Sequence, residues 1–133
     1  MSSVLFSKIQ KLKNEINYLK DSKDKIIKSA AISGDVRRSA ERSVFLCTEI
    51  LLDIIDMILT EKKIPKPDSY SDAIYKMGEY KIIPGEFAYK ILYMAGLRNM
   101  LAHDYQKDTI HKIIEFLDSG IADLEKFLNF IGY

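Results

Sequence analysis

The sequence has no tryptophan, one cysteine, three prolines and two histidines among its 133 residues. A single thiol rules out an internal disulfide. Cys47 also falls inside an apolar helical run, so a buried free thiol is expected rather than a nucleophile. Two of the three prolines sit in "KKIPKPDSYSD", which marks that segment as a loop. Neither sign of charge dominates. A net charge of +1 argues against a protein that coats nucleic acid nonspecifically, but a small local basic site is still possible because a dipolar surface can sum to nearly zero. Long apolar runs are missing as well: none approaches the roughly 20 residues of a membrane span. The N-terminus "MSSVLFSKIQKLKNEI" is too charged for a signal peptide, so a cytoplasmic protein with no membrane partner is expected. Histidines, cysteines and paired carboxylates do not cluster at ligand spacing, so neither a metal nor a cofactor is expected.

What remains is 47% hydrophobic and 29% charged residues, the mixture of one globular domain over residues 1–133. Leu5, Ile9, Leu12, Ile16, Leu19, Ile26 and Ala30 recur in steps of three and four, broken where Lys23 takes an apolar slot. They predict a long amphipathic helix over 5–30. Ser33, Gly34 and Asp35 read as a turn, with Asp35 as the N-cap of a second helix from Val36 to Glu61. That helix carries one stripe of Val36, Ala40, Val44, Cys47, Leu51, Ile54 and Ile58, and beside it a second of Phe45, Leu52 and Leu59. So wide an apolar arc predicts two neighbours, one of which could be a second subunit. The remaining face holds Arg38, Arg42, Glu49, Asp53 and Asp56. It reads as a solvated face, or as acids able to orient a basic site.

A short helix is expected over Ser71–Tyr80, and a fourth starting at Pro84 with Phe87, Ile91, Met94 and Leu97 inward. Asp108 should cap a last helix, with Ile110, Ile113, Leu117, Ile121, Leu124, Leu128 and Ile131 along it. Gly120 within that helix costs about 1 kcal/mol against alanine, which implies a close contact or a bend. Strand-like alternation is absent throughout, as are repeats. The fold class is all-α: an up-down bundle of about five helices.

Candidate chemistry concentrates in "RNMLAHDY", residues 98–105. Arg98 is the only arginine in the second half of a chain that otherwise relies on lysine, and His103 is one of the two histidines. On a continuous helix the two would point about 140° apart. His103 and Tyr105, two apart, share a side only in extended backbone. The expectation is therefore a helix ending near Leu101 or Ala102, with His103 and Tyr105 on the turn that follows. Arginine and histidine suit RNA cleavage. A guanidinium grips phosphate oxygens with a rigid fork, imidazole moves a proton near neutral pH, and RNA brings its own 2′-hydroxyl nucleophile. The same two residues near a helix C-terminus are also what compensation of the helix dipole would place there. His111, in the first turn of the last helix, reads as surface.

Arg98-x4-His103-x-Tyr105, with Asn99 after the arginine, resembles the signature of the HEPN superfamily in its HepT-like branch of small α-helical ribonuclease toxins. The likeness extends to "DVRRSAERSVFLCTEILLDIIDMIL", to "KPDSYSDAIYKMGEYKIIPGEFA" and to "HDYQKDTIHKIIEF", covering roughly residues 5 to 131. This resemblance implies a metal-independent endoribonuclease toxin with Arg98 and His103 as the catalytic pair and Asn99 orienting the site. It implies Tyr105 as the residue to which a cognate nucleotidyltransferase antitoxin attaches AMP. It also implies a homodimer whose two motifs line one cleft and whose substrate is RNA. The rival reading is a noncatalytic helical subunit that holds a nucleotide or a partner's segment in the same cleft, with Arg98 as an anion anchor.

Overall fold

The structure, a computed structural model, describes residues 3–103 and 108–133, and every regular element among them is helical. Helix α1 spans Ser3–Ser29 and buries the predicted stripe from Leu5 to Ile26. Helix α2, Gly34–Glu61, returns antiparallel to it. Lys8 pairs with Asp53 at 2.9 Å near one end of the hairpin, and Ser43 donates to Glu15 at 2.7 Å nearer the other. The N-cap of α2 is Ser33, whose hydroxyl accepts from Val36 N at 3.3 Å. Asp35 is therefore not the cap. It lies in the first turn, where its carboxylate favours the helix dipole and binds Arg38 at 2.7 Å.

Most of both apolar stripes of α2 is covered by the chain's own helices, while Val36 and Phe45 are only half-buried. Ala40, Val44, Cys47, Leu51, Leu52, Ile54, Ile58 and Leu59 are all buried, between α1 on one side and the later helices on the other. The wide arc therefore requires no second subunit. Helix α3, Tyr70–Glu79, is capped by Ser69, which accepts from Asp72 N at 3.0 Å. It meets α4, Gly85–Lys90, at close range: a Cβ on Gly78 would lie 2.7 Å from the Ala88 Cβ. Only glycine permits that approach.

The expected fourth helix is divided. Pro84 stands just before α4 as its N-cap residue, and a second segment, α5, runs Tyr93–His103. Between them Leu92 N bonds to Tyr89 O and Ala95 N to Leu92 O, spacings of three that tighten the chain and end the first helix. The break has a structural use. Lys90 and Tyr93, on either side of it, both reach Asp123, at 3.4 Å and 2.7 Å, and this carboxylate is almost fully buried on the last helix. Helix α5 includes His103 as its final described helical residue, one or two residues beyond the expected end.

The last helix, α6, is assembled from Ile110–Glu115, a π-helical turn at Phe116–Gly120, and Ile121–Phe130. Thr109, not Asp108, is its N-cap residue, and Asp108 one position earlier accepts from Ile110 N at 3.0 Å. The buried Thr109 beside it donates to Glu41 of α2 at 2.7 Å. Antiparallel pairing of α6 with α1 is marked by Lys20–Glu125 at 3.1 Å and Lys23–Asp118 at 3.5 Å. Lys23 thus interrupts the apolar stripe of α1 where it crosses the π turn. The result is five helical rods around one core, the fourth rod broken and the fifth carrying a bulge.

Candidate functional site

Arg98 projects from α5 toward α2, and four neighbours define its pose. Its Nε donates to Glu49 Oε2 at 2.9 Å, and its Nη1 donates to Asn99 Oδ1 at 3.3 Å. Its guanidinium carbon lies 5.6 Å from the centre of the Phe45 ring and 5.0 Å from that of Tyr70. The Arg98 side chain is 18% exposed and that of Glu49 27%, so this ion pair is partly withdrawn from water. Each cation–π contact contributes about 0.5–1 kcal/mol at such a site. Phe45 and Glu49 are one turn apart on α2, so together they present a ring and a carboxylate to the same incoming side chain. Among the described residues, nothing bonds to Nη2 of Arg98.

His103 is exposed, in the last turn of α5. Five helical positions after Arg98, it lies about 140° around the helix axis. It shares its stripe instead with Gly96, two turns back. Along that side of α5 runs a cleft of about 480 Å³ against α6, lined by Tyr93, Gly96, Met100, Glu115, Phe116 and Ser119. Within a single chain, helix geometry therefore sends Arg98, which reaches α2, and His103 to different sides of α5. Asn99 is exposed and accepts a hydrogen bond from Arg98 Nη1. Tyr105, and with it the expected turn after His103, lies outside the described residues.

Three participants were not placed at this site from the sequence. Phe45 reads there as part of an apolar stripe, and Tyr70 as the end of a loop. Glu49 reads as an acid beside Arg38 and Arg42 rather than as the partner of Arg98. The available signal was the four-residue spacing of Phe45 and Glu49 on one face of α2.

Two groups away from Arg98, Cys47 and Tyr93, are shifted for structural reasons. Burial, reinforced by the charge of Glu15, pushes the Cys47 thiol far above its usual range, so it is inert as a nucleophile. Burial and the hydrogen bond to Asp123 likewise raise the Tyr93 phenol and keep it protonated. Among the described residues, no three His, Cys, Asp or Glu side chains converge to hold a metal ion, and no helix is long and apolar enough to cross a membrane.

The family described as Ribonuclease HepT-like matches residues 9–131. Over 85 residues the chain is 26% identical to the mRNA nuclease HepT of Shewanella oneidensis, a stretch covering 64% of each chain. Over 65 residues it is 38% identical to the tRNA nuclease HepT of Aphanizomenon flos-aquae, 49% of this chain and 44% of that one. The matched stretches thus span less than two thirds of these curated relatives. Two solved structures share the fold along 98% of both chains. One is a toxin–antitoxin pair with AMP-PNP, with a TM-score of 0.85 and 20% identity. The other is the tri-AMPylated Shewanella oneidensis HEPN toxin in complex with MNT antitoxin, with a TM-score of 0.84 and 21% identity. With the family match running nearly end to end, this chain belongs to the HepT-like ribonuclease family.

Proposed function

We propose that this protein is a metal-independent endoribonuclease toxin of the cytoplasm that cleaves RNA with Arg98 and His103. The observation that carries the reading is the pose of Arg98. Its Nε is occupied by Glu49 and its faces lie against Phe45 and Tyr70, while Nη2 has no partner among the described residues. A guanidinium fixed in this way is preorganised to receive a phosphate oxygen. His103 then takes the proton of the 2′-hydroxyl as that oxygen attacks phosphorus, or returns one to the departing 5′-oxygen. The bonds balance without any co-reactant: the 2′-oxygen–phosphorus bond forms, the phosphorus–5′-oxygen bond breaks, and a cyclic phosphate and a 5′-hydroxyl result. Asn99 holds the Nη1 side of Arg98.

Within one chain Arg98 and His103 diverge around α5, which supports a homodimer in which the motifs of two copies line one cleft. For control, we propose a cognate nucleotidyltransferase antitoxin, of the kind named in the toxin–antitoxin structures above. The Tyr105 phenol oxygen would attack the α-phosphorus of a nucleoside triphosphate and release pyrophosphate. The attached AMP would fill the space two residues from His103, and its phosphate would compete for Arg98.

The test compares wild type, Arg98→Ala and His103→Ala for growth arrest and RNA cleavage with chelator present. Loss in both variants, with wild-type cleavage persisting in chelator, is the expected result. Equal cleavage by all three, or a requirement for Mg²⁺, would refute the mechanism. Mass spectrometry after co-expression with the antitoxin should find AMP on Tyr105, and neutralised toxin with Tyr105 unmodified would refute the control scheme. Normal toxicity of both variants alongside retained nucleotide binding would favour the noncatalytic subunit.

A further inference from the structure

Phe45 carries a second arginine. The guanidinium carbon of Arg42 lies 5.7 Å from the centre of the same ring that Arg98 approaches to 5.6 Å. Because both distances are measured to one point, the two cations are at most about 11 Å apart. The other arginines each have a carboxylate: Arg37 has Glu41 at 4.0 Å, Arg38 has Asp35 at 2.7 Å, and Arg98 has Glu49 at 2.9 Å. Arg42 has none among the described residues. It is exposed and lies over the Phe45 ring, and no described residue bonds to its guanidinium. Arg42 also lines an open groove of about 470 Å³ between α1 and α2, where it is joined by Tyr18, Arg38 and Ser39 and by Glu15, whose carboxylate accepts from Ser43 at 2.7 Å.

We infer that Arg42 is a second phosphate contact, taking the single-stranded RNA backbone next to the phosphate held at Arg98 and leading the strand into the α1–α2 groove. The inference rests on the proposed ribonuclease reading. Its physical grounds are the unpaired charge, its position beside Arg98, and the shared ring that limits where the guanidinium can go. An unpaired guanidinium presents a planar fork suited to phosphate, and Tyr18 in the groove offers an exposed ring on which a base can stack. A chain of net charge +1 holds RNA weakly overall, so a single well-placed cation accounts for a measurable share of the salt-dependent binding.

The test measures binding rather than cleavage, so it is independent of whether the catalytic assignment stands. Fluorescence anisotropy of a labelled single-stranded oligoribonucleotide is recorded across a salt series with three proteins: His103→Ala alone, His103→Ala with Arg42→Ala, and His103→Ala with Arg42→Lys. Losing one phosphate contact should flatten the log–log salt slope by about 0.7, which is roughly fivefold weaker binding at 0.1 M salt. The lysine variant keeps the charge and should recover most of the slope. A purely structural stack on Phe45 would change the melting temperature and leave the slope alone. An unchanged slope in the alanine variant overturns the inference, as does an unchanged slope with weakened capture of the antitoxin, which would give this face to a protein partner. Cleavage that survives Arg98→Ala and His103→Ala, combined with the expected slopes, would remove the catalytic reading and leave the RNA contact standing.

Discussion

Gly120→Ala is the substitution for which helix propensity and packing disagree most sharply. Alanine in place of glycine inside an ordinary helix gains about 1 kcal/mol. Here the new Cβ would run into Cδ2 of Phe116, with Cγ at 2.8 Å and Cε2 at 2.9 Å. Phe116 is 1% exposed and belongs to the core, so its ring cannot swing into solvent to make room. Forcing an extra carbon into a filled interior costs about 1–3 kcal/mol, and contacts this short belong in the upper half of that range. Net destabilisation is therefore about 1–2 kcal/mol. For a chain of this size that lowers the melting temperature by roughly 3–10 °C. Thermal unfolding followed by circular dichroism at 222 nm reads the shift directly. Combining Gly120→Ala with Phe116→Leu should give less than the sum of the two single effects, because the branched chain vacates the space that the Cβ enters. A Gly120→Ala protein as stable as wild type, or more stable, would refute the reasoning and show that the π turn is not maintained by this contact.

Four other outcomes follow from the same geometry. Glu49→Gln removes the charge that fixes Arg98 and should slow RNA cleavage about tenfold, equivalent to about 1.4 kcal/mol in the barrier; a rate equal to wild type would show that the two rings alone hold the guanidinium. Thr109→Val deletes the 2.7 Å bond to Glu41 and leaves a carboxylate short of a partner, so stability should fall by about 1–2 kcal/mol in urea unfolding. Cys47 should resist a thiol reagent such as DTNB in the native state and react on unfolding, since burial holds it protonated; rapid native labelling would contradict its placement. Cys47 and Tyr93 are both raised on folding, from ordinary values of 9.0 and 10.0. Their stabilisation is thus complete below about pH 9 and is lost as pH rises further, because the unfolded chain releases these protons first. Melting temperature should fall progressively above pH 9, and Tyr93→Phe should flatten the part of the fall above pH 10.

Much of the fold was legible because long helices advertise themselves. The 5–30 stripe, the loop at Pro65 and Pro67, and the glycine at position 120 each carry a local physical meaning that survives folding. What periodicity could not show were the departures from it. Phe87, Ile91, Met94 and Leu97 are spaced as well for two short helices as for one, so the break at Ile91–Leu92 left no trace in the pattern. The wide arc on α2 correctly demanded two neighbours, but a helical wheel cannot tell a second chain from the far end of the same one. The site was half legible. Arg98, Asn99 and His103 lie in one short motif, whereas Phe45, Glu49 and Tyr70 meet Arg98 only through tertiary packing across 28 to 53 positions of sequence. The helix end was misjudged for a related reason. Placing His103 on a turn would unite it with Arg98 in one chain, yet α5 continues through it.

The arginine at position 98 sits in a chain that otherwise prefers lysine, and the contact with Glu49 explains the choice. A lysine there would bring one compact charge at the end of a flexible stem, and a carboxylate 2.9 Å away would claim it. A guanidinium has more than one edge. One edge can be given permanently to the protein, which sets its orientation, while Nη2 has no partner among the described residues. The pair is electrically neutral at rest, so it attracts stray anions weakly and still offers directed hydrogen bonds to an oxygen that arrives in the right place. If Arg98 meets RNA phosphate as proposed, recognition there would be governed by geometry more than by charge.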